Sequence, residues 1–194
     1  MVKPSWNRGK RMVVRSGFYI EDNKVKRLDV QIPWDQGWSK VAKIQYIQLL
    51  HAELQKYLPG KIIEDVTSAS SPWARELSPL YVRKPDGQIL EDYIQELIHS
   101  NNPNIEFDGF IWPGYAQQLA FMHLYCIYAK YLIARIRIID VFTDVFYNPT
   151  NTGAGTQALA CALMKLMDLQ GKSGVVNNVV DFVTWYGENI DIER

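Results

Sequence analysis

The stretch "FTDVFYNPTNTGAGTQALACALMKLM", residues 142–167, decides how the chain is read. It opens on an apolar, strand-like end and passes through a loop holding Asp144, Asn148, Asn151, Gly153 and Gly155. It then enters a segment whose apolar residues recur at helical spacing. Strand, polar loop and helix in direct succession predict α and β elements within one unit. A helix N-terminus presents unpaired N–H groups and a partial positive charge, so a glycine-rich approach to it can seat a phosphate. No Gly-Lys-Ser/Thr follows, and the spacing is not that of a dinucleotide fingerprint. The plainer alternative is a capped helix, with Thr152 or Thr156 as the cap.

Working outward, "RMVVRSGFYI" and "VKRLDVQI" read as two strands around an "EDNK" turn, a hairpin. "PWDQGWS" then breaks the chain, and Ser39 caps a helix running to about Tyr57, with Val41, Ile44, Ile47 and Leu50/Leu54 as its apolar stripe. Pro59-Gly60 stops that helix. "KIIEDVTSASSPWARELSPLYV" reads as a short strand, a Ser/Thr-rich loop, a helical turn and a second extended piece. "PDG" at 85–87 marks a turn, "QILEDYIQELIHS" is helical, and "NNPNIEFDG" reads as a loop. Residues from about Tyr115 to Ala134 predict the longest and most buried helix, followed by a strand-like "RIRIIDVF". A last amphipathic helix is predicted in "VVNNVVDFVTWYGENI", with Val176, Val179/Val180, Val183 and Tyr186 on its apolar side. No internal repeat or low-complexity tract is present, and the sum is a helix-rich α+β single domain with short strands.

Composition supports one such domain: 194 residues, 47% hydrophobic and 22% charged, are enough for a substantial core. The net charge is zero but unevenly placed, since residues 1–50 hold ten Lys/Arg against four Asp/Glu. A basic N-terminal quarter suits an anionic partner or simply a solvated arm. Cys126 and Cys161 lie in apolar helical contexts without metal-ligand spacing and read as reduced core residues. No apolar segment follows the first basic residues, and the most apolar region is interrupted by His123, Lys130, Arg135 and Arg137. These features predict a cytoplasmic protein with no membrane association.

The chemistry-bearing groups near the opening stretch are a carboxylate, Asp144, and two carboxamides, Asn148 and Gln157, suited to ribose hydroxyls or a base edge. His51, His99 and His123 are scattered, and a lone histidine on an apolar helix face, such as His123, reads as a satisfied core residue. No His/Cys/carboxylate cluster has metal spacing, so no metal and no cofactor is predicted. Among the tryptophans, Trp34 and Trp38 flank a turn before a lysine-bearing helix and are the better base-stacking candidates.

Three segments together resemble the NADAR family, in the form that accompanies a DNA ADP-ribosyltransferase toxin as its antitoxin. "WDQGWSKVAKIQYIQLLHAEL" looks like the family's lysine-bearing helix ending in a Leu-His pair, here Leu50-His51. "IIEDVTSASSPWARELSPLYV" is similar to its Ser/Thr loop and Leu-Ser pair, here Leu77-Ser78. In the opening stretch, "FTD", "NP" and "QA" follow in the family's order, and "AFMHLYCI" resembles its long central helix. The resemblance runs from roughly Met12 to Met167 and implies a NADAR-like domain over 16–194 behind a basic arm at 1–15.

The resemblance further implies binding of ADP-ribose and, in active members, hydrolysis of the N-glycosidic bond joining ADP-ribose to the guanine amino group. Lys43 matches the family's lysine and Asp144 its ribose-orienting acid, which makes them the catalytic candidates. Trp34, Trp38, Ser39, Ser68, Ser70, Asn148, Thr152, Gly155 and Gln157 are the substrate-binding candidates. The implied partners are ADP-ribose or ADP-ribosylated guanine in nucleic acid, and an ADP-ribosyltransferase toxin. The chain departs from the pattern in several places. His123 stands where antitoxin members commonly carry an acid, Phe146 where they carry Glu, and Ser68, Ala69 and Ser70 where a lysine is usual. "NPTNTGAGTQA" is one residue longer than usual and lacks the Asn before Gln157. Those departures predict a changed substrate or lost hydrolysis, the latter leaving a non-catalytic ADP-ribose-binding module.

Overall fold

The two eleven-residue strands β1 (Arg11–Glu21) and β2 (Lys24–Trp34) pair antiparallel along their whole length, from Arg11 opposite Trp34 to Glu21 opposite Lys24. Asp22 and Asn23 turn the chain with φ of 53° and 57°, the left-handed pair that a two-residue hairpin needs and that Asp and Asn tolerate. The structure, a computed structural model, describes residues 11–34, 40–66, 78–79, 82–144 and 157–192, with the backbone alone at 40–43. Residues 11–15, grouped with the basic arm on sequence, therefore belong to β1.

Three short strands complete the sheet: β3 (Ile63–Asp65), β6 (Val141–Thr143) and β7 (Ile190–Asp191), in the order β3-β6-β1-β2-β7. β6 lies antiparallel to β1, with Thr143 opposite Gly17, and parallel to β3, with Thr143 opposite Asp65. β7 is parallel to β2. Thus β2, β3, β6 and β7 all point one way and β1 the other.

Alternation along the strands gives the sheet two apolar faces. On one, Val30, Ile32, Ile63 and Val141 pack against Tyr46, Leu50 and Leu54 of helix α1 (Lys40–Tyr57). Gly17 lies under this helix, where an added Cβ would sit 2.9 Å from Val141 Cγ1 and 3.0 Å from Leu54 Cδ2. On the other face, Phe18, Val25 and Phe142 enter a larger core with helices α3 (Gln117–Ala129), α5 (Gln157–Leu169) and α6 (Val179–Asn189). Before α3 in the chain come α2 (Leu90–Ile98) and the β4 (Asn104–Phe107) and β5 (Phe110–Pro113) hairpin, and after it the short α4 (Ile133–Ile136). The fold is a helix-rich α+β domain with a mixed sheet.

Helix α5 is apolar almost all round and buried accordingly, from Ala158 to Met164 without a break. Its small residues Ala158, Ala160, Cys161 and Ala162 let it lie close to both the sheet and α3. Cys126 and Cys161 are buried there without a disulfide, and burial pushes both thiols up. The run Gly114–Ile136 is long and apolar enough, by length and composition, to cross a membrane, and half of its most apolar window is buried inside the fold.

Four sequence expectations change. "NNPNIEFDG" is not a plain loop but holds β4, which pairs with β5 through Asp108 and Gly109 at φ 49° and 79°. "RIRIIDVF" is strand only from Val141, because the 3₁₀ turn Lys130–Leu132 carries the chain from α3 into α4. Among the described residues the longest helix is α1 rather than α3. The buried residues of α6 are Phe182, Trp185 and Asn189; of the expected side Val176, Val179 and Tyr186 do pack against the core, whereas Val180 is 71% exposed. Asn178 accepts from the N–H groups of Val180 and Asp181, an N-cap that starts the helix after the 3₁₀ turn holding Val176.

Candidate functional site

In sheets with parallel strands, ligands settle beyond the strands' carboxyl ends, where successive connections diverge. Here the carboxyl ends of β3 and β6 lie level, with Asp65 opposite Thr143, whereas β2 runs on past that level from Leu28, opposite Gly17, to Trp34; the chain passes out of β2 at Trp34 and out of β6 at Asp144. It returns at Lys40, the start of α1, and at Gln157, the start of α5. A sheet whose middle is apolar ends in charge: Arg15, Asp65 and Asp144 are 8%, 3% and 7% exposed. Buried charges survive only where partners offset their lost hydration.

The partners can be traced strand by strand. Thr143 Oγ1 donates to Asp65 Oδ2 at 3.3 Å, tying the ends of β6 and β3. Ser16 Oγ donates to Asp29 Oδ1 at 2.5 Å, and Arg27 Nε lies 3.2 Å from the same oxygen. Arg15 Nη1 donates to the Val14 carbonyl at 2.7 Å, and its guanidinium carbon is 5.0 Å from the centroid of the Trp34 ring. Trp34 in turn stacks on Tyr46 of α1, with centroids 4.0 Å apart and planes 12° from parallel. Burial lowers the Arg15 pKa, opposed by the negative charge of Asp144. On the side of α3, burial and then the Asp144 charge push the Tyr125 hydroxyl up to about 12. Burial also raises the Glu64 carboxyl.

The candidates from sequence fall into two sets. Asp144 directly follows β6, Trp34 ends β2 and Gln157 opens α5. The Ser78 hydroxyl donates to the Gln157 side-chain oxygen, which joins the Leu-Ser segment to the Gln-Ala segment across 79 positions. Lys43 lies in the first turns of α1, with its side chain outside what is described. Trp38, Ser39, Ser68, Ser70, Asn148, Thr152 and Gly155 lie outside the described residues, as do Thr156 and Phe146. Trp34 uses its ring on Tyr46, a packing role that the flanking-turn argument did not foresee.

Sequence reasoning missed Arg15, Asp65 and Tyr125. A signal existed for Arg15: Val13, Gly17 and Tyr19 share its face of β1, so a charge there breaks the apolar alternation. His123 is fully buried, as a core histidine should be. Its Nδ1 accepts from Trp112 Nε1 at 3.2 Å and its Nε2 donates to the Val176 carbonyl at 2.7 Å, which fixes the neutral tautomer. The rings of Phe107, Phe110 and Phe182 surround it, and burial lowers its pKa. Among the described residues, no three His, Cys, Asp or Glu side chains gather as metal ligands. No model of a known protein family matches the chain, and no curated protein matches it.

Proposed function

We propose that this protein is an ADP-ribosyl-guanine glycohydrolase of NADAR type, which removes ADP-ribose from modified guanine in nucleic acid or nucleotide and so serves as an antitoxin against an ADP-ribosyltransferase. The observation that supports the reading is the buried charge beside the carboxyl ends of β3 and β6, where Asp65, Asp144 and Arg15 lie. The Ser78 hydroxyl donates to the Gln157 side chain, which joins two of the three segments that resemble the family.

The chemistry asked of these residues is modest. Hydrolysis breaks the bond between ribose C1″ and the exocyclic guanine nitrogen, water supplies the oxygen to C1″, and a proton ends on the nitrogen. Lys43 is assigned to that step, as an acid or as a nucleophile on the opened sugar, either of which needs its pKa lowered by burial. Asp144 orients the ribose hydroxyls, and the segment 152–157 approaching α5 holds the diphosphate. The basic N-terminal quarter favours a nucleic-acid substrate.

A second reading is a binding module without turnover, acting as a sensor, a sponge or a toxin-neutralising partner. His123 favours it. At the position where antitoxin members commonly carry an acid, this chain has a neutral imidazole whose two nitrogens are both engaged inside an aromatic core. The deciding experiment incubates the protein with ADP-ribosylated guanine DNA and with free ADP-ribosyl-guanosine, following ADP-ribose by mass spectrometry. Release that disappears in Lys43→Ala supports hydrolysis. Affinity for ADP-ribose with no release supports the module, and neither affinity nor release sinks both. Thermal shift gives the affinity arm, since a ligand at 100 times its dissociation constant adds about 2.7 kcal/mol.

A further inference from the structure

We infer that Arg15 is a positioning residue of this site, setting the turn of α1 that holds Lys43 against the strand end that holds Asp144; the inference rests on the functional reading above. Arg15 lies on the α1 face of β1, on the side where Gly17 meets Leu54 and where Val13 and Tyr19 join the apolar cluster. A charge on that face is out of pattern and almost wholly buried. Towards α1, the guanidinium lies 5.0 Å from the Trp34 ring, and Trp34 stacks at 4.0 Å on Tyr46. Tyr46 stands three positions after Lys43, one helical turn away.

Towards β6, the register pairs Gly17 with Thr143, so Arg15 stands beside the point where the chain leaves the strand at Asp144. The negative charge of Asp144 acts on the guanidinium, opposing the lowering of its pKa by burial. One side chain therefore braces both elements that the proposed reaction needs in fixed relation. A planar guanidinium can stack on an indole and face a carboxylate together, whereas a lysine ammonium supplies the charge without the stack. Displacing a catalytic group by about 1 Å costs roughly 100-fold in rate, which is the scale on which such a brace acts.

The test uses Arg15→Met and Arg15→Lys in the full chain. Amide hydrogen exchange over residues 40–50 and the near-ultraviolet circular dichroism of the Trp34–Tyr46 stack report positioning without any reaction. Release of ADP-ribose from an ADP-ribosylated guanine oligonucleotide reports its consequence. In Arg15→Met, exchange over 40–50 is expected to quicken, with kcat falling about 100-fold and KM changing less than about threefold. Arg15→Lys is expected to fold as the parent does and recover about a tenth of the parent kcat, because charge returns without the stack. Unchanged exchange and dichroism in Arg15→Met overturn the inference. Altered exchange with kcat within about twofold of the parent also overturns it, reducing Arg15 to a structural residue. If the parent itself neither binds nor releases ADP-ribose, the functional reading falls. The exchange and dichroism arm then decides whether Arg15 sets α1.

Discussion

Two groups of buried polar side chains stand on opposite terms with their surroundings. Around His123 the polar atoms are closed by one donor and one acceptor, Trp112 Nε1 and the Val176 carbonyl, inside a shell of aromatic rings. At the carboxyl ends of β3 and β6, charges of both signs are buried where the chain leaves the two strands. A histidine, the side chain that most readily suggests catalysis, is here a packing element. Arg15 and Asp65, by contrast, are buried charges carried by strands, where they interrupt an apolar pattern. The contrast teaches that a polar group's setting, not its type, separates a structural role from a reactive one.

The contrast can be broken or sharpened by experiment. The largest effect is expected from Lys43→Ala, which should cut release of ADP-ribose by about 100-fold or more while leaving ADP-ribose affinity within about threefold, read by mass spectrometry and calorimetry. Next comes His123→Leu. It strands Trp112 Nε1 and the Val176 carbonyl, and should cost about 2–4 kcal/mol in urea unfolding with the turnover of folded protein unchanged. Lost turnover with an unmoved unfolding midpoint would place His123 among the reactive groups and erase the distinction.

A smaller, graded effect should appear with pH. Burial lowers the pKa of both His123 and His51, whose Nε2 is buried without a hydrogen-bond partner among the described residues. The unfolded chain then takes up protons near pH 6.5 that the folded chain refuses. Stability from these groups is complete above that pH and is lost as pH falls towards the folded-state values. The slope is at most about 1.4 kcal/mol per pH unit for each histidine. Urea midpoints between pH 7 and pH 5 should show it, and His123→Leu should remove part of the slope. The smallest change is expected from Gly17→Ala, at about 1 kcal/mol, because the facing Leu54 and Val141 methyl groups can give way. A loss of several kcal/mol in thermal unfolding would show the α1 face to be as unyielding as the His123 shell.

Much of the architecture was legible because local signals agreed with the final packing. Asp22-Asn23 marked the β1–β2 turn, Pro59-Gly60 ended α1, and the run from Gln157 read as a buried helix. Legibility failed where tertiary phase outweighed composition. The valines of the last helix suggested a face, but its deepest residues are Phe182 and Trp185, with Val179 and Tyr186 only partly buried beside them. The β4–β5 hairpin was hidden by its polar start, although Asp108-Gly109 is a turn signal that could have revealed it. For the site, Asp144 and Gln157 could be found because they sit in a recognisable strand-loop-helix order. Asp65 could not, since a single charge in a short strand ordinarily reads as solvent-facing and only the sheet register brings it beside β6, whereas Arg15 left a trace as a charge between Val13 and Gly17 on its face of β1.

The sheet order also fixes when the site can exist during synthesis. The β1–β2 hairpin closes between neighbouring residues, but its β1 edge receives β6 only after more than a hundred further residues, and β3 meets β6 across 78 positions. Contacts of such high sequence separation form late, because the entropy of closing long loops comes before their reward. A ribosome-bound chain shorter than about 144 residues can carry a hairpin and α1, yet it has no strand end for Asp144 to occupy. A ligand that needs this strand end would thus have nothing to bind until β6 has been made.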